Sequence, residues 1–208
     1  MTYFTIASDG SYEEEIKKSR FICYLKRITT EEEGRAFIAT LKKQHHKASH
    51  ACSAMIIGEN ADIKRSSDDG EPSGTAGVPM LTVLEKQELT NVVAVVVRYF
   101  GGIKLGAGGL IRAYSGSLAA GILALGRVMV TQQELLELSL SYSQYQNFES
   151  FAQQEEVTIL DQTFSQDVQV TISLSPEREA DFKQALTELY HGPIPITSVG
   201  KKEVEIPL

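Results

Sequence analysis

The sequence has few cysteines and no recognisable signal or membrane-spanning segment. Among 208 residues there are two cysteines, Cys23 and Cys52, without CxxC spacing. Both lie in apolar, strand-like contexts, which predicts buried thiols in a reducing compartment rather than a disulfide. The segment MTYFTIASDG lacks the basic flank and apolar run of a signal peptide, and no apolar stretch approaches bilayer length. We therefore expect a cytoplasmic protein.

Positive charge is scarce in the second part of the chain. Residues 1–131 carry 16 Lys and Arg against 14 Asp and Glu, whereas residues 132–208 carry 4 against 13. Phosphate backbones require local positive charge, so any nucleic-acid surface is expected in the first part. The acidic second part is not expected to bind nucleic acid over its whole surface. The net charge of +2 on residues 1–131 is small for a dedicated nucleic-acid-binding protein.

Glycine usage changes at the same place as the charge. Eleven of the 16 glycines fall between Gly70 and Gly126, and only two lie beyond Gly126. The length suits one large or two small domains. We predict an N-terminal domain over residues 1–131 and an acidic C-terminal domain over 132–208.

The C-terminal part alternates strand and helix patterns. Strands are predicted over residues 136–141, 157–160, 168–174 and 196–206, and helices over 142–154 and from Ser175-Pro176 to a stop at Gly192-Pro193. The order β-α-β-β-α-β is the ferredoxin-like split βαβ pattern.

The N-terminal part mixes strands and helices in irregular order. Strands are predicted over residues 21–28, 51–57 and 92–97, and helices over 30–44, 78–89 and 108–125. The β-branched run from Val92 to Val97 indicates a buried central strand. This mixture predicts an α+β fold.

A glycine-rich segment, Arg98 to Leu110, runs from this strand into a helix. Glycines allow positive φ and close approach of a ligand, and a helix N-terminus offers free N–H groups to an anion. The alternative is a tight crossover that needs glycines only for packing. The spacing matches neither a P-loop nor a dinucleotide fingerprint. The predicted anion or nucleic-acid site comprises Arg98, Gly101, Gly102, Lys104, Gly106, Gly108, Gly109 and Arg112.

Polar residues concentrate between Ser66 and Gly77. The acidic side chains of this segment could hold a divalent cation or accept hydrogen bonds from a ligand. The alternative is a solvated turn with Ser73 or Thr75 as helix cap. The spacing is not that of an EF-hand, and zinc at His46 and His50 would need further ligands, so no metal site is predicted.

Histidines and aromatics flank these two segments. His50 enters a strand near both loops, whereas His45 and His46 are expected to be exposed at a helix end. Tyr99 and Phe100 could stack on bases or continue the core. The residues predicted to line a groove with the glycine-rich loop are His50, Asp68, Asp69, Glu71, Ser73, Thr75 and Tyr99.

Two long motifs carry a family resemblance. DDGEPSGTAGVP (68–79) and VVVRYFGGIKLG (95–106) resemble the signature of the YigZ/IMPACT family, and His50 resembles its common histidine. The resemblance covers the whole chain. It implies a first domain like the second domain of a ribosomal small-subunit protein. It also implies a last domain like the ferredoxin-like end of elongation factor G. Eukaryotic members are similar in the first domain, lack this tail and regulate translation under amino-acid stress through a large partner.

Three functional hypotheses follow. The preferred one is a non-enzymatic, cofactor-free binding protein that engages RNA, the ribosome or a translation factor through the N-terminal domain. The second is an enzyme acting on a phosphorylated or carboxylated small molecule, with the glycine-rich loop as anion cradle and Asp68, Asp69 or Glu71 as base or metal ligand. No nucleophile–base pair stands out to support it. The third is an acidic tail that docks a basic partner.

Overall fold

The computed structural model describes residues 2–208, which divide into two compact units. The first comprises the chain up to Val130 together with Glu205–Leu208, and the second is Thr131–Val204. The helices are α1 (Glu31–Gln44), α2 (Gly77–Lys86), α3 (Ala107–Leu125), α4 (Tyr142–Gln154) and α5 (Glu179–Leu189). The strands are β1 (Thr2–Ile6), β2 (Gly10–Ile16), β3 (Ser19–Arg27), β4 (His50–Ile57), β5 (Ile63–Ser67), β6 (Val92–Tyr99), β7 (Arg127–Leu140), β8 (Thr158–Phe164), β9 (Val168–Leu174) and β10 (Ile196–Pro207).

The first unit is built on an antiparallel sheet in the order β2-β3-β6-β4-β5. The valine-rich β6 is the middle strand, and Val92 to Val97 are fully buried because both faces of the sheet are covered. On one face Met80 of α2 and Leu118 of α3 belong to the core, and on the other face Leu41 of α1 does. The predicted buried central strand is confirmed.

The start of α1 follows from its local sequence. The Thr30 hydroxyl accepts a hydrogen bond from the Glu33 N–H at 3.2 Å, and the Glu33 carboxylate accepts one from the Thr30 N–H at 3.3 Å. This reciprocal capping box satisfies two N–H groups that the helix leaves free. It fixes the position from which α1 covers the sheet.

The second unit contains α4, β8, β9 and α5 with most of β7 and β10; β7 pairs with β9 and with β10, and β9 pairs with β8. β9 is antiparallel to both β7 and β8. Phe148, Phe151 and Phe182 of the two helices pack on the buried residues of β7 and β9. This is the predicted split βαβ arrangement, and with the first unit it makes the fold α+β with two antiparallel sheets.

Several local predictions were wrong. The strands β1, β2 and β5 were missed; β2 and β5 are edge strands without fully buried residues, so they show no apolar pattern. Ser175 makes no side-chain cap, and Pro176–Arg178 form a short 3-10 helix before α5. By length and composition alone α3 could cross a membrane. Its buried face packs in the first core.

Candidate functional site

The end of β6 brings the two sequence motifs together. Arg98 pairs across the sheet with Phe21 of β3 and with His50 of β4, so these three residues are lateral neighbours. Because successive side chains alternate between the faces of a strand, Arg98 and Tyr99 point to opposite sides of the sheet. Arg98 faces α2 and α3, and Tyr99 faces α1. The register thereby selects which motif residues can meet.

Arg98 is held in a buried ion pair with Glu71. The side chains of Arg98 and Glu71 are 6% and 4% exposed, and Arg98 Nη1 donates to Glu71 Oε1 at 2.7 Å. The Tyr114 hydroxyl donates to the same oxygen at 2.8 Å. The Arg98 guanidinium also lies 5.5 Å from the Phe21 ring and 5.4 Å from the Phe100 ring. Its charge is therefore matched inside the protein and is not a free cation beside the glycine-rich loop.

His50 has one nitrogen committed and the other free. Nδ1 lies 2.8 Å from the Asp69 carbonyl oxygen, which can only accept, so Nδ1 carries the proton that is donated. In the neutral ring Nε2 is then an acceptor, and it lies 3.8 Å from Glu71 Oε2. The arrangement places two acceptor atoms side by side.

Asp68 caps α2 from outside the helix. Its Oδ1 accepts from the N–H groups of Ala76 and Gly77 at 3.0 and 2.8 Å, and Oδ2 accepts from Gly74 N–H at 2.8 Å. Burial alone would raise the pKa of Asp68, but these three bonds lower it below its ordinary value. The alternative of a helix cap at Ser73 or Thr75 is not found, since the N-cap residue of α2 is Ala76 and makes no side-chain cap. Ser73 is exposed, and the Thr75 hydroxyl donates to Pro72 O at 2.6 Å.

Asp69 ties the turn to the sheet. Its Oδ2 accepts from the Ala51 N–H at 2.7 Å, and its Oδ1 pairs with Lys42 of α1. The carboxylates of Asp68 and Asp69 are thus used within the protein. In residues 2–208 no group of three or more His, Cys, Asp or Glu side chains is arranged to hold a metal.

The glycines of the long loop have different roles. A Cβ on Gly101 would lie 1.7 Å from the Lys18 carbonyl oxygen, so this glycine permits close packing against the turn before β3. Gly102 and Gly106 have φ of 87° and 71°, which disfavours other residues. Gly106 is the N-cap of α3 without a side-chain cap, and Gly108 and Gly109 lie in the first turn. The first N–H groups of α3 are therefore open to a ligand.

The two motifs line one groove with a volume of about 470 Å³, which we call the interloop groove. Five of the predicted site residues line it: His50, Glu71, Arg98, Lys104 and Gly106. The other lining residues are Ser49, Pro72, Phe100, Leu105, Ala107 and Leu110. Lys104 is exposed and has no ion pair within the described chain. It is the lining cation whose charge is available to a ligand.

Other predicted residues lie elsewhere. The Tyr99 hydroxyl lies 2.8 Å from His45 Nδ1, and the Tyr24 hydroxyl lies 2.8 Å from His45 Nε2. The prediction that His45 is exposed is therefore wrong, because it is half-buried between two tyrosines. Burial, and then the charge of Arg20, lower its pKa. Arg112 lines a separate surface depression between α2 and α3.

Two buried groups beneath the groove were not predicted as site residues. Burial raises the pKa of Tyr114 strongly, with Cys52 and Glu71 as further causes, so Tyr114 remains a donor. Burial raises the pKa of Cys52 to about 12, and its thiol donates to the Asp68 carbonyl at 2.9 Å. A tyrosine and a cysteine in apolar segments resemble ordinary core residues in sequence. The available signal was the hydroxyl of Tyr114 among the apolar residues on the buried face of α3.

Comparison with known proteins decides the family. The Impact N-terminal domain matches residues 17–122, and a domain of unknown function, DUF1949, matches residues 138–192. The chain belongs to the IMPACT family. Its membership confirms the resemblance of the DDGEPSGTAGVP and RYFGGIKLG motifs that meet at the interloop groove.

Family relatives match most of the chain. IMPACT family member YvyE of Bacillus subtilis is 44% identical over 191 residues, which cover 92% of this chain and 88% of that protein. IMPACT family member YigZ of Escherichia coli is 35% identical, covering 89% and 92%. The Protein IMPACT homolog of Saccharomyces cerevisiae is 37% identical over 42% of this chain and 35% of its own length. A crystal structure of a hypothetical protein is 32% identical with a TM-score of 0.60, covering 95% of this chain and 97% of that chain.

Proposed function

We propose that this IMPACT family member is a non-enzymatic cytoplasmic binding protein linked to translation. Its interloop groove receives an anionic group of RNA, the ribosome or a translation factor. The observation that carries the proposal is the unpaired Lys104 beside the uncapped N-terminus of α3, in one groove. Membership of the family supports the link to translation, because the similar eukaryotic proteins regulate it.

The anion-accepting end of the groove has a physical basis. The first N–H groups of α3 have no carbonyl partners within the helix, and the helix dipole adds partial positive charge there. Lys104 supplies a full charge two residues before the N-cap, Gly106. Arg98 contributes no free charge because Glu71 neutralises it. A phosphate or carboxylate is thus the group that this end of the groove favours.

The decisive experiment compares Lys104→Ala with Lys86→Ala. Both remove one exposed lysine, but only Lys104 lines the groove. Binding to purified ribosomes and to ribosomal RNA should weaken for Lys104→Ala. Its salt dependence on RNA should become shallower by a slope of about one, as expected for one lost phosphate contact. Equal weakening by both variants, or none by either, would overturn the proposal.

A second candidate is an enzyme acting on a phosphorylated or carboxylated small molecule. The geometry of His50 favours it, since a ring with Nδ1–H fixed on a carbonyl and Nε2 free beside a groove is suited to proton abstraction. Turnover of phosphate esters or nucleoside triphosphates would be measured with the full chain and with His50→Gln. Activity lost in the variant supports this candidate, and absence of His50-dependent turnover rejects it.

A further inference from the structure

The floor of the interloop groove presents acceptors that lack donors. Glu71 Oε1 receives two hydrogen bonds, from Arg98 and Tyr114, whereas Oε2 receives none from residues 2–208. His50 Nε2 lies 3.8 Å from Oε2, and in the neutral ring with Nδ1 protonated it is an acceptor as well. The Glu71 side chain is 4% exposed, but Oε2 is not among the buried atoms that lack a partner, so this oxygen can be reached from the groove. The pair is matched by a ligand that carries adjacent O–H or N–H donors.

Arg98, which also lines the groove, has a polar atom without a hydrogen-bond partner. Arg98 Nε is buried and has no hydrogen-bond partner among the described residues. Arg98 lines the groove together with Glu71 and His50. Three polar side chains on one wall therefore have hydrogen-bonding capacity that the protein leaves unused. A wall of this kind indicates polar recognition rather than a packed interior.

The opposite requirement holds at the other end of the groove. Lys104 and the free N–H groups at the start of α3 are donors and favour an anion. Between the ends, Phe100 lines the groove with 48% of its surface exposed, although aromatic rings are usually buried. An exposed aromatic ring in a groove that is also lined by a lysine and by the start of α3 is suited to stacking on a base.

We propose that the interloop groove binds one 5′-phosphorylated ribonucleotide unit, either a free nucleotide or the 5′ end of an RNA strand. The phosphate contacts Lys104 and the N-terminus of α3, the base stacks on Phe100, and the ribose hydroxyls donate to Glu71 and His50. Carboxylates accept from ribose hydroxyls in this way in dinucleotide-binding folds. The assignment rests on the proposed function for the anion-accepting end and adds the sugar and the base.

The test is calorimetric titration of the full chain with AMP, adenosine, 2′,3′-dideoxy-AMP and inorganic phosphate. AMP should bind at least about tenfold more tightly than adenosine or the dideoxy analogue, because each analogue removes hydrogen bonds to a charged group. Short RNAs with a 5′-phosphate or a 5′-hydroxyl distinguish the two sources. A preference for the 5′-phosphate indicates an RNA end, and equal affinity with tight AMP binding indicates a free nucleotide.

Surface variants that keep both Arg98 and Glu71 complete the test. Phe100→Ala and Lys104→Ala should each weaken AMP binding about fivefold or more, and Lys86→Ala should leave it unchanged. Equal affinity for AMP and its dideoxy analogue, or no AMP binding, overturns the inference. If ribosome binding still depends on Lys104 in that case, the proposed function stands without it. If Lys104→Ala leaves ribosome and RNA binding unchanged, the proposed function itself fails.

Discussion

The interiors of the two units differ in their charged residues. In the first unit, Arg98 and Glu71 form an ion pair with both side chains buried. In the described part of the second unit, the one buried charged residue is Glu134, and its partner Lys201 is 59% exposed. The helices and strands of that unit otherwise meet through aliphatic and phenylalanine side chains.

This difference between the two interiors distinguishes what the packing of a core requires from what the interloop groove requires. The second unit shows that this chain forms a packed helix-on-sheet core with apolar side chains alone. Burying two charges costs solvation that their attraction only partly returns, so a buried pair is a weak source of stability. The pair in the first unit is better explained by its position on the wall of the interloop groove, where it holds Glu71 and leaves one oxygen free.

The largest expected effect is on this pair. Glu71→Ala leaves the Arg98 charge buried without its partner and should lower the free energy of unfolding by about 3–5 kcal/mol. The measurement is urea denaturation followed by circular dichroism. Glu134→Ala in the second unit is the matched control and should cost much less, because Lys201 returns to water.

A double variant sharpens the same comparison. Arg98→Met combined with Glu71→Met makes this interior resemble that of the second unit, so most of the lost stability should return. Ligand binding should not return with it. A double variant as unstable as Glu71→Ala would show that the pair is needed for folding itself.

The next effect concerns the close approach at Gly101. Gly101→Ala places a methyl group against the Lys18 carbonyl, so the loop must shift at a cost of about 1–3 kcal/mol. Gly116→Ala is the control, since its Cβ meets nothing within 4 Å and it lies inside α3. That substitution should stabilise the first unit by about 0.5–1 kcal/mol. Thermal unfolding of both variants checks the difference, and a neutral Gly101→Ala would contradict the packing role.

The smallest effect is pH-dependent and belongs to Asp68. Its pKa is lowered from 3.8 in the folded protein, so its contribution to stability is present above 3.8 and is lost as the pH falls through the folded value. Asp68→Asn should therefore be less stable than the parent by about 1 kcal/mol near neutral pH, and the two should converge below pH 3.8. Denaturation curves across this range measure the convergence. A constant difference would show that charge has no part in the cap.

The sequence predicted well wherever a periodic pattern or a local cap exists. The β-branched run of β6, the Thr30 capping box and the alternation in β7 and β9 all depend on nearby residues. β2 and β5 were missed because edge strands that face water have no apolar pattern to show. The alternative of a cap of α2 at Ser73 or Thr75 is not found, since Asp68 reaches the helix from eight residues before Ala76, across a turn.

The candidate site was harder to predict because its residues make contacts with partners that are distant in the sequence. The motifs indicate which segments are special, but the register of β6 decides that Arg98 faces the groove and Tyr99 does not. The Arg98 charge was expected to be free because its partner, Glu71, is 27 residues away in sequence. Tyr114 is a further 16 residues along the chain from Arg98. Such partners become visible only when the sheet brings them together.

The shared oxygen of Glu71 also constrains how this protein can change over evolutionary time. Arg98, Glu71 and Tyr114 come from three segments; replacing Glu71 takes the acceptor from both donors, and replacing Arg98 leaves the buried Glu71 charge without its cation. Single substitutions among them pass through a destabilised intermediate, whereas joint replacement does not. Related sequences should therefore retain all three or exchange them together, and an alignment of the family would reveal them as a covarying set.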